Sequence, residues 1–217
     1  MGEHVRIAMM LVALAALSCS GVRGSGTRAE ETRQVPQFTA VAAHGGLRLL
    51  VEETPDATGD VELHVTGDNN LLPLMKSVVT GDELEIGADE TLEPELPLEV
   101  TARVAALKSI ELDGSIDARI QGLRGEMVKL ALSGSGKAVL EGKVKNLELE
   151  VSGSGKVSAQ KVEAETVTVK VAGSGEVALC ATGKLKADIA GSGTIAYYCN
   201  PAEVVENVAG SGELVKK

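Results

Sequence analysis

The amino-acid sequence predicts an all-β protein, a parallel β-helix or β-solenoid with coils of about 19 residues. Three observations support this fold class. The triplet Gly-Ser-Gly recurs at nearly constant spacing through the C-terminal half, apolar and polar residues alternate on both sides of it, and no long amphipathic helix follows residue 18. A repeat of this period is typical of coils that stack so that equivalent positions touch. We expect a right-handed coil, because parallel crossovers are nearly always right-handed.

Residues 1–18 have the features of a signal peptide. An apolar stretch, Ile7–Leu17, follows Arg6 and is too short to span a bilayer. Cys19 comes next, and this arrangement resembles a bacterial lipoprotein signal, in which the thiol receives the lipid. We therefore expect export, lipidation of Cys19 and, because Ser20 follows it, retention at the outer membrane. Secretion without a lipid and an uncleaved anchor are the alternatives.

The mature chain begins with a polar segment and carries a strong negative charge. Residues 19–34 are small, polar and charged, so we expect a flexible tether there. The folded domain is predicted over residues 35–217. The formal net charge is −10, and residues 19–112 account for it with 17 acidic and 7 basic side chains. A chain without a basic face is a poor candidate for binding nucleic acid.

Residues 35–112 are expected to form the irregular start of the same stack rather than a separate domain. Short apolar runs, divided by turns rich in glycine, aspartate and asparagine, predict strands in this region. The predicted strands are Leu47–Val51, Val61–Val65, Glu83–Ile86 and Leu98–Val104. The regular coils are expected over about residues 107–215.

The turns of the regular coils are predicted at the Gly-Ser-Gly triplets, because glycine accepts positive φ and lets backbones stack closely. The triplet residues are Gly134, Ser135, Gly136, Gly153, Ser154, Gly155, Gly173, Ser174, Gly175, Gly191, Ser192, Gly193, Gly210, Ser211 and Gly212. A degenerate copy, Gly114-Ser115-Ile116, lies upstream. The serines should form a ladder along one corner. Equivalent serines with no histidine beside them favour turn hydrogen bonds over a catalytic nucleophile.

Columns of apolar residues with a period of two predict the strands on each side of the turns. Two positions before the first glycine stand Leu112, Leu132, Val151, Val171, Ile189 and Val208. Four positions after it stand Ala118, Ala138, Val157, Val177, Ile195 and Leu214. Each coil therefore carries one strand that enters the turn and another that leaves it, and each strand buries one face.

Outward positions carry charges that should pair between successive coils. Glu150, Lys170 and Asp188 share one column, and Lys129 and Glu148 share another. Unlike charges that lie directly opposite each other contribute about 0.2–1 kcal/mol each. We interpret these columns as fixing the register of the coils; a binding stripe is the alternative.

The last coil has features of an end that must not extend. Glu206 interrupts an apolar column and is interpreted as part of an end cap. The chain then finishes with Lys216 and Lys217, which suit an exposed sheet edge.

Cys180 and Cys199 lie one coil apart, close to the spacing that a disulfide requires. Export would permit the bond. Two unpaired thiols are the alternative, and a metal site is disfavoured because no histidine lies near them.

No catalytic, cofactor-binding or metal-binding residues are predicted. His44 and His64 lack the spacing of metal ligands. The acidic residues between Asp82 and Glu99 are interpreted as a solvated face, with weak binding of divalent cations as the alternative. The near absence of aromatic residues disfavours a glycan-binding platform without excluding it.

Several segments are informative when taken together. They are Phe38–Val41, Gly46–Leu49, Val65–Leu72, Leu84–Ile86 and the Gly-Ser-Gly series. This set resembles the bacterial head GIN domain family (DUF2807), described as "putative auto-transporter adhesin". The resemblance covers roughly residues 35–215. It implies an exported, all-β, β-helix-like domain of the bacterial envelope, and it implies no catalytic residues.

We therefore expect a non-enzymatic cell-envelope module, adhesin-like or partner-presenting, that needs no cofactor. Its expected partners are an envelope or surface protein or other copies of the chain, with the lipid anchor in the membrane. A glycan-binding or polysaccharide-processing β-helix protein is one alternative, and a purely structural envelope lipoprotein is another.

Overall fold

The computed structural model describes residues 21–217. The signal peptide predicted for residues 1–18 and the lipidation site predicted at Cys19 lie outside these residues. In the described part, no helix is long and apolar enough to cross a membrane.

The fold is all-β, as predicted, with one 3-10 turn at Leu72–Leu74 and no α-helix between residues 21 and 217. The strands are β1 Val22–Arg23, β2 Arg28–Val35, β3 Ala40–Gly45, β4 Arg48–Glu53, β5 Val61–Asp68, β6 Lys76–Thr80, β7 Glu83–Gly87, β8 Leu92–Glu93, β9 Glu99–Val104, β10 Ser109–Gly114, β11 Asp117–Gly134, β12 Lys137–Gly153, β13 Lys156–Gly173, β14 Glu176–Gly191, β15 Thr194–Tyr198, β16 Glu203–Gly210 and β17 Glu213–Lys216.

The coils build two sheets with one core between them. The strands that enter the turns pair in the order β6-β7-β3-β10-β11-β12-β13-β14-β16, which we call the entering sheet. The strands that leave the turns pair in the order β2-β5-β9-β4-β11-β12-β13-β14-β15-β17, the leaving sheet. Strands β11 to β14 belong to both sheets because each is long enough to round the corner opposite the triplets. The pairings among β10 to β17, and those that join β3 to β10 and β4 to β11, are all parallel, so the predicted β-solenoid is confirmed.

The Gly-Ser-Gly turns stack on one another along one corner. Gly134 pairs with Gly114 on one side and with Gly153 on the other, and its φ is +105°. A Cβ atom on Gly134 would lie 2.5 Å from the carbonyl oxygen of Gly114. A Cβ on Gly136 would lie 2.5 Å from the carbonyl oxygen of Ile116. The first glycine is therefore required for its φ and for the close stacking of coils, whereas the third is required for the stacking alone.

The apolar columns predicted from the sequence form the core. Leu132, Val151 and Val171 follow one another through neighbouring coils, and each is no more than 1% exposed. Leucine, isoleucine, valine and alanine fill nearly all of this core, and Phe38 is its one buried phenylalanine. Aliphatic side chains of this kind pack well on the pleated surface of a parallel stack.

The N-terminal end of the stack is closed by polar contacts. Arg33 on β2 is 20% exposed and donates hydrogen bonds of 2.7 Å to the carbonyl oxygens of Leu72 and Met75. It also pairs with Glu31 at 2.7 Å and bonds Ser77 Oγ at 3.1 Å. One guanidinium thus joins β2, the 3-10 turn and the start of β6 across the end of the core.

The prediction of a flexible tether over residues 19–34 is wrong for its described part, residues 21–34. Strand β1 pairs with β8, and β2 pairs antiparallel with β5 along eight residues. The polar composition that suggested a tether is equally suited to an edge strand that exposes one face. The folded region therefore begins before residue 35.

The four strands predicted in residues 35–112 correspond to β4, β5, β7 and β9 and are confirmed. Strands β3 and β6 were not predicted. The pairs β2–β5, β5–β9 and β6–β7 are antiparallel, which makes this region irregular compared with the coils that follow. One core spans both regions, so they form one stack.

The predicted charge columns exist, but only one of their ion pairs forms as expected. Glu150, Lys170 and Asp188 are neighbours in one column, and Lys170 pairs with Glu150 at 3.3 Å. Lys129 reaches diagonally to Glu150 at 3.8 Å, so its predicted pairing with Glu148 is wrong. Asp188 pairs with Lys186, 3.5 Å away on its own strand. Long lysine side chains choose among several acids within reach, which a simple column cannot foresee.

Candidate functional site

The serines of the triplets form the predicted ladder, and their side chains are exposed. Each triplet serine donates its backbone N–H to the first glycine of the preceding coil, for example Ser135 to Gly114 at 3.0 Å and Ser174 to Gly153 at 2.8 Å. The turn hydrogen bonds expected of the serine hydroxyls are thus made by backbone amides, and within residues 21–217 those hydroxyls have no hydrogen-bond partner. The ladder is a row of solvated hydroxyls.

His44 lies at the same corner, above the first coil. Its Nδ1 is 4.0 Å from the Asp113 carboxylate, and it lines a cleft of about 490 Å³ together with Ser115. No hydrogen bond joins His44 to Ser115 among the described residues. The constellation lacks the contact by which a base activates a serine.

The outer surface of the entering sheet carries a shallow groove of about 510 Å³ that crosses successive coils. One wall is the column of Glu150, Lys170, Asp188 and Asn207, and the other is the column of Ser152, Ala172, Ala190 and Ala209. Asn207 donates to Asp188 at 3.2 Å. The groove therefore combines a wall of mutually paired polar groups with a wall of very small side chains.

The leaving sheet has a similar groove of about 370 Å³ on its outer surface. Lys156 and Glu176 pair at 2.8 Å along one side, and Ala178 and Ala196 lie on the other. Both outer surfaces are flat because small residues follow one another from coil to coil. The arrangement can accept a flat or extended partner, whereas it does not enclose a small molecule.

One further charged cluster lies on the leaving sheet. Glu141 is contacted by Lys161 at 3.3 Å and by Arg119 at 3.1 Å. The hydrogen bond from Lys161 and then that from Arg119 lower the pKa of Glu141 below its usual value. Glu141 thus ties the coils before and after it together by ion pairs.

Asp68 is a fully buried carboxylate that was not predicted as a key residue. Its Oδ1 accepts a hydrogen bond of 2.7 Å from the Gly26 amide. Its Oδ2 accepts one hydrogen bond of 3.0 Å from the amide of Glu95 and another of 3.0 Å from that of Leu96. These backbone hydrogen bonds, that of Leu96 first, lower the pKa of Asp68 despite its burial. Asp68 therefore fastens the segment before β2 to the loop before β9.

The two asparagines after Asp68 extend the same contact. Asn70 Oδ1 accepts a hydrogen bond of 2.9 Å from the Ser25 amide, and Asn69 Oδ1 accepts one of 2.7 Å from the Ser25 hydroxyl. The Asn70 side chain also donates a hydrogen bond of 2.8 Å to the carbonyl oxygen of Arg23. We call Asp68, Asn69 and Asn70, with residues 23–26, the N-terminal clip. The run Gly67-Asp68-Asn69-Asn70 is visible in the sequence as a polar turn. The residues that it binds, 23–26, lie in the segment that the sequence predicts to be a tether.

Glu53 is the other buried acid among residues 21–217, and no sequence pattern indicates its burial. Its Oε1 lies 3.4 Å from Nε of Arg124, while its Oε2 has no hydrogen-bond partner. Burial raises the pKa of Glu53, and the amides and guanidinium around it, from Arg124 and Leu107, oppose this only in part. It lies at the corner opposite the triplets, away from both grooves.

The structure joins Cys180 and Cys199 by a disulfide, with Cα atoms 5.3 Å apart. Cys199 has φ +73°, and it is the one residue other than glycine with positive φ between residues 21 and 217. The bond holds the loop before β16 against β14.

The remaining candidates of the sequence are dispersed over the surface. His64 is half-exposed and lies 3.0 Å from Glu62, and Asp89 in the acidic stretch pairs with Lys76. In the described part of the chain, no three His, Cys, Asp or Glu side chains converge on a point where a metal ion could bind.

The chain matches one protein family, and several solved structures are similar to it. The family described as "Putative auto-transporter adhesin, head GIN domain" (DUF2807) matches residues 37–201. Among curated proteins, none matches the chain.

Three solved structures are similar over almost their whole length. A "putative adhesin" from Bacteroides fragilis is 19% identical, with a TM-score of 0.69 over 91% of this chain and 100% of its own. A "putative lipid binding protein" from Parabacteroides distasonis is 21% identical, with a TM-score of 0.55 over 90% and 99%. A "putative adhesin" from Parabacteroides merdae is 20% identical, with a TM-score of 0.53 over 90% and 98%. At these identities the likeness establishes a shared fold.

Proposed function

The chain belongs to the head GIN domain family, DUF2807, and from this membership we propose that it is a non-enzymatic, adhesin-like module of the cell envelope. It acts by presenting the outer surfaces of its two sheets to a protein partner. The observation that carries the proposal is the pair of flat grooves. Ion pairs between coils, Lys170 with Glu150 and Lys156 with Glu176, lie along one wall of each groove, and alanine and serine lie along the other.

Such a surface suits contact with a macromolecule. Extended, repeated faces are the surfaces that stacked-coil proteins use for their partners. Small side chains let a partner approach the backbone closely, and paired charges limit the desolvation cost of covering them. The descriptions of the family, "Putative auto-transporter adhesin", and of two similar structures, each a "putative adhesin", agree with this role.

The position of the chain in the envelope is part of the proposal. Cys19 receives a lipid, and the chain sits at the outer membrane. The N-terminal clip begins only a few residues after Cys19, so the fold is held near its anchor rather than on a long tether. Along the chain, Cys19 is close to the first coils and far from β16 and β17.

The proposal is tested by adhesion of cells that express the full chain. Ala190→Arg fills the groove of the entering sheet, and Ala178→Arg fills that of the leaving sheet. At least one of them should lower adhesion or partner capture from detergent-solubilised envelope, with surface abundance and unfolding temperature unchanged. Unaltered adhesion in both variants and in a deletion strain would contradict the proposal.

A further inference from the structure

The two ends of the stack are finished differently. Arg33 and β2 close the N-terminal end, whereas β16 and β17 are simply the last strands of the two sheets. All eight residues of β16 are exposed, and no strand between residues 21 and 217 pairs with its outer edge. β16 therefore presents a free row of backbone donors and acceptors.

The exposed residues of β16 include side chains that belong to the core columns. Val208 is 41% exposed, whereas Ile189, its neighbour in the preceding coil, is 2% exposed. Val204 is also 41% exposed, and its neighbour Leu185 is fully buried. One additional strand against β16 would bury both valines as the preceding coil buries its own.

The edge is held in place before any partner arrives. The Cys180–Cys199 disulfide fixes the loop that precedes it. Glu203 pairs with Lys184 at 2.8 Å, and Asn207 bonds Asp188 at 3.2 Å, so both halves of β16 are fastened to β14. A fixed edge lowers the ordering cost of adding a strand.

A second copy in line with the first does not fit this end. If the columns continued into the N-terminal end of another copy, its β2 would lie beside β17. The register would then set Glu30 opposite Glu213 and Arg33 opposite Lys216. Like charges directly opposite each other are destabilising.

A second copy turned end to end is disfavoured as well. When two β16 strands pair antiparallel with their inward columns on the same face of the sheet, every register that pairs at least six residues brings the two Glu206 carboxylates opposite or diagonal to each other. Glu206 has no ion pair among the described residues. It stands between Val204 and Val208 in the inward column, where an added strand would cover it.

Covering Glu206 without a counter-charge would leave a carboxylate buried and unpaired, which is costly. The same carboxylate favours a strand that brings a cation to this position, so it selects among partners. We propose that β16 is the acceptor edge for strand addition by an extended segment of another protein, with a basic residue opposite Glu206 between two apolar residues. This proposal rests on the function proposed above only for the existence of a protein partner.

The test uses the full chain and two synthetic peptides. The first, acetyl-Thr-Val-Thr-Arg-Thr-Val-Thr-Gly-amide, carries the required pattern; the second has glutamate in place of arginine. The wild-type chain should bind the arginine peptide at least about tenfold more tightly than the glutamate peptide. Glu206→Arg should reverse this preference, and Glu90→Arg, an exposed charge reversal near the other end, should leave it unchanged. Hydrogen exchange should slow at the amides of β16 when the peptide binds.

Each other result is decisive. Absence of binding by both peptides, binding that ignores the charge at position 206, or protection outside β16 and β14 would overturn the proposal. Concentration-dependent pairing of the chain through β16 would overturn it in favour of a second copy. If neither peptide binds while Ala190→Arg or Ala178→Arg abolishes adhesion, the proposal of strand addition at β16 is wrong and the proposed function stands.

Discussion

The Gly26 amide donates a hydrogen bond of 2.7 Å to the carboxylate of Asp68, which is fully buried. This contact fixes the start of the fold close to the predicted lipid attachment site. A chain anchored through Cys19 would thereby have a defined exit from the membrane, with its outer sheet surfaces available to partners.

Asp68→Asn should release the N-terminal clip. The amide side chain keeps one acceptor but turns an N–H group toward backbone donors, so at least one of the three backbone hydrogen bonds is lost. Limited proteolysis and hydrogen exchange should show residues 23–35 becoming accessible while the coils stay protected. The exposed Asp60→Asn is the control, and an unchanged N-terminal segment in D68N would contradict this account of the clip.

The same contact should weaken in acid. The pKa of Asp68 is lower in the folded chain than its ordinary 3.8. Its stabilisation is therefore fully present above pH 3.8 and is lost as the pH falls toward the folded value. The protection of residues 23–35 against hydrogen exchange, measured relative to the intrinsic rate at each pH, should fall over this acidic range in the wild type, and the Asn variant should show no such step.

The free energy of unfolding should have the opposite pH dependence where Glu53 titrates. Burial raises its pKa above the ordinary 4.5, so folding becomes less favourable as the pH rises from 4.5 through the folded value. Glu53→Gln removes this titration. Denaturant unfolding at pH 4 and pH 8 should show the variant gaining on the wild type at the higher pH, by about 1 kcal/mol given an unsatisfied buried oxygen. An equal difference at both pH values would be inconsistent with a perturbed carboxyl.

Gly134→Ala tests why the triplets contain glycine. The new Cβ would meet the Gly114 carbonyl at 2.5 Å, and φ is +105°. Gly125 has φ +115° but open space around its Cα, so Gly125→Ala isolates the backbone strain of about 1–3 kcal/mol. Chemical denaturation should show a larger loss for Gly134→Ala, by at least about 1 kcal/mol. Equal losses would mean that close stacking does not require glycine.

Cys199→Ser should destabilise the last coils. A disulfide that closes a loop of this size stabilises a chain by about 3 kcal/mol. Hydrogen exchange should rise first in β15, β16 and β17, and dithiothreitol should reproduce the effect in the wild-type chain. If both treatments leave these strands protected, the bond has no role in holding the edge.

The regular coils were predictable because they depend on local periodicity. Val151 and Val171 could be assigned to one buried column from their spacing alone, and the triplets gave the turns. Position along a column also identified which charges are neighbours, though not which atoms pair. Lys129 contacts Glu150 because its side chain is long enough to reach two residues along the neighbouring strand.

The N-terminal region was less predictable, because its contacts join residues far apart in the chain. The polar strand β2 buries little surface itself and is held by pairing with β5, which a composition-based assignment to a tether could not detect. Asp68 and Glu53 are buried by elements that approach from distant parts of the chain. Buried acids of this kind leave no periodic signal.

The central claim is that successive coils lie directly on one another, so that equivalent side chains form the columns of both outer surfaces and of the free edge. Neighbouring strands lie about 4.8 Å apart, within the Cα range of a disulfide. Oxidising the double variant Ser154→Cys/Ser174→Cys and mapping the peptides by mass spectrometry should give a 154–174 bond in nearly all molecules. The variant Ser135→Cys/Ser174→Cys, with one coil between its thiols, should give none. The reverse pattern, or no bond in either variant, would contradict the stacking.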